Sequence, residues 1–375
     1  MRRFDTYSEN SLCWNNTLTD RFEWIIISPH IYAMNILIIK LSAIGDVVQT
    51  LPALEAIKKT FPNSSLTWLV EESAAGILEG HPLIDVLLVS RRKDWLRKLK
   101  NPFTALQGLI SVYKFLIDLR RPLYDIAIDF QGLLKSGVLI GFVRARRKIG
   151  FDRTRELSYL FLNERLPAYD VEKHALERYL EVARYLGAKE TPSICTLPIE
   201  RELAQIKKKL DSMSLHEKPL IVINPVARWK TKLWPAVNFA KLANRLVREK
   251  HASVIFTGSE EDRAVIDRIL AIMDEHALNW AGETTLKELA ALAHQADAFI
   301  STDTGPMHLA AAAGAHVLAL FGPTSPWRTG PYGTGHVVFR TGIDCSPCFS
   351  RTCKEVRCMD EITVDAVLSA VQLEG

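Results

Sequence analysis

The chain has 375 residues, 48% of them hydrophobic and 24% charged, with a formal net charge of +4. That composition belongs to a globular protein large enough for two ordinary cores, and so slight a charge gives no ground for a nucleic-acid partner. No apolar run approaches the ~20 residues of a membrane-spanning helix.

Residues 1–33 are polar and irregular, and their one apolar run (Trp24 to Ile27) stops at Ser28-Pro29. This is no secretory signal. We expect a disordered or mis-started extension, with Met34 as the natural beginning and a cytoplasmic location. Residues 35–40 (NILIIK) read as a buried parallel strand. A loop with Gly45 and Asp46 follows, then a helix through Leu54, Ile57 and Phe61 in which Pro52 marks a kink or a first turn capped by Thr50. Further strands are expected at 66–70, 86–89 and 124–129. The last leads into the loop Phe130-Gln131-Gly132 and a helix with Lys135-Ser136. Strands alternating with helices predict a doubly wound α/β domain over 34–195.

The basic run 90–100 (SRRKDWLRKLK) reads either as a solvated helix face or as a surface for an anionic partner. Trp95, Leu96 and Leu99 within it would also suit a membrane surface. A helix over 174–186 ends at Gly187, with His174 read as structural. The Pro-bearing stretch 191–197 is the expected hinge. A second βα series then occupies 196–375, with a charged helix at 200–213, strands at 219–225 and 253–257, a weak strand near Leu278, and an amphipathic last helix at 362–373.

Residues 298–326 (AFISTDTGPMHLAAAAGAHVLALFGPTSP) form one complete strand–turn–helix–strand unit. Its helix begins beyond the carboxyl end of a parallel strand, where open α/β sheets bind ligands. Asp303 or Thr304 is the expected cap, Pro306 suits the first turn, and Gly305 allows a phosphate to approach. The plainer reading is an ordinary capped helix. His308 and the run of turn residues favour an anion site.

The single Gly45 after the first strand does not make a dinucleotide fingerprint, and no Asp-x-Asp pair offers a metal grip on a diphosphate. An anion held without metal needs basic side chains and backbone N–H groups, for which Lys230 and Lys232 are the candidates. Asp46 stands where a catalytic carboxylate would, although a helix-terminal Asp satisfying backbone N–H groups is the simpler reading. Cys345, Cys348, Cys353 and Cys358 are spaced C-x2-C-x4-C-x4-C. In a reducing compartment this predicts structural zinc first, an iron–sulfur cluster second and unligated thiols third. Cys13 and Cys195 stand alone.

Taken together, IIKLSAIGDVVQTLPAL, DFQGLLKSG, GFDRTRE, the KLWP loop and the 298–326 unit resemble glycosyltransferase family 9, from Met34 onward. The resemblance implies a GT-B fold, two Rossmann-like domains facing across a cleft, and inverting, metal-independent heptosyl transfer with no catalytic cofactor. It implies ADP-heptose as donor, the Kdo inner core on lipid A as acceptor, and peripheral contact with the cytoplasmic face of the inner membrane. The basic run would then face the acceptor's anionic groups. Carried onto this sequence, the catalytic base falls on Asp46 and the phosphate-binding lysine on Lys232. The donor motif falls on Asp303, Thr304, Gly305 and His308, and the ribose carboxylate on Glu260 or Glu261. Acceptor contacts fall on Lys135, Arg153 and Arg155. Ala227-Arg228 replaces a hydroxyl pair common in type I members. Three other readings stand beside this one: a type II enzyme using a heptose acceptor, a nucleotide-sugar epimerase of related fold, and a non-catalytic metal-binding module.

Overall fold

The computed structural model describes residues 34–190 and 196–372. The expectations for residues 1–33, for Cys195 and for most of the proposed hinge lie outside the described residues. In the first half, β1 (Asn35–Ile39), α1 (Ile44–Thr60), β2 (Ser65–Glu71), α2 (Glu72–Leu78) and β3 (Val86–Ser90) come first. A helical hairpin, α3 (Arg92–Lys100) and α4 (Ala105–Arg120), leads to β4 (Leu123–Asp129), α5 (Leu134–Phe142), β5 (Arg144–Phe151), β6 (Glu164–Leu166) and α6 (Ala175–Tyr185). The second half opens with α7 (Glu200–Ser212), β7 (Leu220–Asn224), α8 (Ala236–Lys250), β8 (Ser253–Phe256), α9 (Arg263–Leu270) and β9 (Leu278–Asn279). It continues with α10 (Leu286–Gln295), β10 (Ala298–Thr302), α11 (Gly305–Ala312), β11 (Val317–Phe321), α12 (Pro326–Thr329) and β12 (Val337–Arg340), and closes with α13 (Arg357–Asp360) and α14 (Val364–Ser369).

Both sheets are parallel, in the orders β3-β2-β1-β4-β5-β6 and β12-β11-β10-β7-β8-β9. Counted within its own half, each has the same doubly wound order. The strand order therefore reverses between β1 and β4 and again between β7 and β10, and ligands of such sheets bind outside the strand ends at these points. The central strands are apolar on both faces because helices cover both: β7, β10 and β11 are buried at every position.

Local chemistry departs from the sequence reading in several places. Helix α1 begins at Ile44 and runs through Pro52 without stopping. Thr50 is therefore no cap; its hydroxyl donates to Asp46 O (2.7 Å). Burial of eleven α1 residues against the sheet and neighbouring helices outweighs the N–H lost at Pro52. Strands β5, β6 and β12 went unrecognised, since RARRKIGF hides three buried residues, Ile149 to Phe151, behind charged ones. The helix expected over 362–373 is shorter, α14 (Val364–Ser369), and starts where the Thr363 side chain accepts from the Ala366 N–H (3.2 Å).

Each half has an apolar cluster of its own, around Leu37 and Ile39 in the first and around Ile223 and Phe256 in the second. A further apolar cluster joins Leu51, Leu54 and Trp68 of the first to Phe299, Met307 and Leu309 of the second. Phe299 lies fully buried in central strand β10. Phe299→Ala should lower the unfolding free energy by about 3–5 kcal/mol, read as an earlier urea midpoint at unchanged slope.

Candidate functional site

The loop after β1 is closed by its neighbour after β4. The Gln131 side-chain oxygen accepts from the Leu41 and Ser42 N–H groups (3.0 Å each). Gln131 is itself fixed by Asp129, which accepts from the N–H groups of Gln131 (2.9 Å) and Gly132 (3.1 Å) and from the Ser136 hydroxyl (3.0 Å). Burial raises the Asp129 carboxyl, partly offset by those hydrogen bonds.

Asp46 sits in the first turn of α1, and its two oxygens have different partners. Oδ2 accepts the Ala43 N–H (3.2 Å), the helix-terminal role of the simpler reading. Oδ1 accepts the Tyr179 hydroxyl (2.8 Å) and lies 3.6 Å from the Lys40 ammonium. Lys40 is buried and donates to Tyr179 Oη (2.7 Å) and Phe130 O (3.2 Å). Although enclosed by these groups, the Asp46 side chain keeps 41% of its surface open. Burial pushes its carboxyl up, but Lys40, the Tyr179 hydroxyl and the Ala43 N–H outweigh that and hold it below the usual carboxylate range. Lys40 is pulled down by burial, with Asp46 and Asp129 opposing. Tyr179 is driven well above its ordinary value by burial and by Asp46, so it remains a donor.

Across the interface, α11 starts at Gly305 with Thr304 in the cap position. Neither Thr304 nor Asp303 caps it with a side chain, which corrects that expectation. Thr304 instead bonds back to Thr302 O (3.3 Å), and Asp303 turns to Lys232 (Nζ to Oδ2, 2.6 Å) and to the Thr324 hydroxyl (2.6 Å). Lys232 also donates to Asp303 O (3.1 Å) and lies over the Trp229 ring. The uncapped end of α11 faces α1. Gly305 packs on Ile44, where a Cβ would come within 2.9 Å of the isoleucine Cβ, and a Cβ on Gly45 would overlap the His308 ring. Nδ1 of His308 meets Gln49 Nε2 at 3.2 Å. Burial lowers His308 to about 4, so its ring is neutral at neutral pH.

The structure thus brings together Asp46, Lys232, Asp303, Thr304, Gly305 and His308. Glu260 and Glu261 follow the end of β8; Glu260 pairs with Arg263 (3.4 Å), and a Cβ on Gly282 would strike it. Glu261 is lowered by its own N–H and the Ser259 hydroxyl, then by Lys93. Lys135 pairs with Glu71 (2.8 Å) and donates to Ser42 (3.1 Å), beside the Asp46 loop. Arg153 and Arg155 are exposed in a loop whose Thr154 packs on Gly132. His174 caps α6 and reaches Gly330 O (3.1 Å), a structural tie. Lys40 and Tyr179 were missed by the sequence reading. A lysine ending an apolar strand was the available signal for the first, whereas Tyr179 carries none.

The metal expectation for Cys345, Cys348, Cys353 and Cys358 is not met. Among the described residues, no group of three or more His, Cys, Asp or Glu side chains is placed to hold a metal ion. The thiols are free, three exposed and Cys358 buried. Their loop is tied elsewhere: Cys348 N–H donates to Pro323 O (3.1 Å), the Ser346 hydroxyl to Gly322 O (2.7 Å), and Cys353 Sγ to Glu355 O (3.0 Å). The loop braces the lysine turn, since Ser350 O accepts the Thr231 hydroxyl (2.8 Å) and Arg351 lies over Trp229.

Two doubly wound domains with facing switch points make up a GT-B fold. The profile of glycosyltransferase family 9 (heptosyltransferase) matches residues 112–358, and the chain belongs to that family. Lipopolysaccharide heptosyltransferase 1 of Pseudomonas aeruginosa is 32% identical over 85% of this chain and 87% of its own. The core heptosyltransferase OpsX of Haemophilus influenzae is 28% identical over 79% and 81%. In fold, the chain is similar to the Escherichia coli heptosyltransferase WaaC solved with ADP, at a TM-score of 0.72 and 24% identity, covering 90% of this chain and 98% of that one.

With Asp46 held low, a rate that needs its anion is constant through neutral pH and falls only as pH drops through the depressed value. Tyr179→Phe should move that acid limb of kcat/KM to higher pH, with a smaller change in the plateau. Gly45→Ala should force α1 and α11 apart, costing about 10²-fold in kcat in steady-state assays and about 1–3 kcal/mol of stability in melting curves.

Proposed function

We propose that the protein is an inverting heptosyltransferase of the lipopolysaccharide core, moving heptose from ADP-heptose to a Kdo hydroxyl on lipid A. Residues 34–195 would bind the acceptor and 196–375 the donor. Asp46 takes the proton of the acceptor hydroxyl as that oxygen attacks the anomeric carbon. The bond to the diphosphate breaks on the opposite face, and ADP leaves as an anion, so no general acid is required. Lys232 and the first N–H groups of α11 meet the charge that grows on the leaving group, without a metal ion in the scheme. Two of the three ammonium donors of Lys232 are fixed by Asp303, which leaves one for a phosphate oxygen. Glu260 or Glu261 would take the ribose hydroxyls. Lys135, Arg153 and Arg155, around the Asp46 loop, would take the acceptor's anionic groups. The enzyme would work at the cytoplasmic face of the inner membrane, where a lipid-borne acceptor lies.

The observation that carries this reading is a partly open carboxylate, tuned by Tyr179 and Lys40, facing an uncapped helix end beside a lysine. The test is transfer from ADP-heptose to Kdo-lipid A, with the new linkage read by NMR. Inverted linkage is expected; a retained one, or transfer only to an acceptor that already carries heptose, would sink this assignment. An isomerised free sugar would mark an epimerase. Asp46→Ala should lose about 10²–10⁴-fold in turnover while keeping ADP-heptose affinity in calorimetry. Lys232→Ala should weaken both donor affinity and kcat/KM, with a loss of about 10²-fold in the latter.

A further inference from the structure

The α3–α4 hairpin is not explained by the site or by the core. Helix α4 is apolar on two sides. Gly108 and Leu119 are buried on its inner side, where Phe115 meets Trp95 of α3 (ring centroids 4.9 Å apart) and Gly108 packs on Lys98 and Leu99. Its outer side carries a second stripe, Leu106, Leu109, Ile110, Tyr113 and Ile117, spaced i, i+3, i+4, i+7, i+11 and all exposed. Leu106 is 69% and Tyr113 66% exposed, and Phe103, in the connection between the helices, is 94% exposed. Helix α3 buries no residue at all and adds exposed Leu96 and Leu99. The α4 stripe is an exposed apolar surface of the kind that marks an interaction site.

Its charge selects the partner. Residues 91–121 hold nine Lys or Arg and two Asp, a balance of +7 against +4 for the whole chain, so the remaining residues carry −3. A two-fold pairing of copies through this face would set +7 against +7. An anionic bilayer accepts both features, with apolar side chains entering the acyl boundary and lysine and arginine heads reaching lipid phosphates. The hairpin also abuts the catalytic loop. Arg92 at the start of α3 lies 3.7 Å from Glu71, Glu71 pairs with Lys135 (2.8 Å), and Lys135 bonds Ser42 (3.1 Å), four residues before Asp46.

We infer that the α3–α4 hairpin is a membrane foot that docks the protein on anionic phospholipid, setting the acceptor side of the site beside the bilayer. This rests on the proposed function only in taking the acceptor to be lipid-borne. The test is co-sedimentation of the full chain with vesicles of phosphatidylglycerol and phosphatidylcholine, against vesicles of phosphatidylcholine alone. Binding to the anionic vesicles only, weakened by salt, is expected. Leu106→Ser with Tyr113→Ser, and separately Arg97→Glu with Lys100→Glu, should each reduce partitioning at least about tenfold. Melting curves and transfer to a delipidated, soluble acceptor should stay at the parental level. Equal binding to both vesicle types, binding to neither, or unaltered partitioning of both variants would overturn the inference. So would a lipid-free dimer that Leu106→Ser with Tyr113→Ser dissolves. Vesicle binding without transfer to any acceptor would instead overturn the proposed function and leave the foot standing.

Discussion

The first turns of α1 and α11 pack on each other, Gly305 against Ile44 and Gly45 against the His308 ring. Both ends carry partial positive charge, so their approach is unfavourable unless negative charge lies between or beside them. Asp46 supplies one such charge from the first half, and Asp303 holds Lys232 at the edge of the second. An anionic ligand at the start of α11 would supply more. Under the proposed function, a donor diphosphate bound there would strengthen the same contact that assembles the site.

The trio of buried Lys40 and Tyr179 with partly open Asp46 serves a second end. A carboxylate exposed to water has many conformations and ordinary basicity. Fixing Oδ1 with a phenol and a nearby ammonium restricts it to one orientation, and it also makes the anion a weaker base than free aspartate. The arrangement gives up basicity to gain position. That exchange is sound for a reaction in which the hydroxyl grows acidic only as its oxygen bonds to carbon.

What the sequence disclosed follows from where the information sits. NILIIK, LIVIN and AFIST are continuous apolar runs because central parallel strands are covered on both faces, so their positions and the two-domain α/β class were legible. The loop motifs drew attention to Asp46, Lys232 and the 303–308 turn because local turn chemistry is written in consecutive residues, while their expected roles came from the family resemblance. Tyr179 was invisible because it reaches Asp46 from 133 positions away, on a helix whose pattern only says amphipathic. Pro52 misled because a local rule was applied to a helix whose burial overrides it. The cysteines misled in the opposite way. Their spacing suggested a common ligand, whereas among the described residues no group of three or more such side chains is placed to hold a metal ion.

Bracing the lysine turn gives the cysteine loop a use that does not depend on metal. Three exposed thiols stand in the loop that braces the Lys232 turn, linked to it through Ser350 and Arg351. A chemical bridge joining any two of them would stiffen that turn, and a dye on one would report its movement.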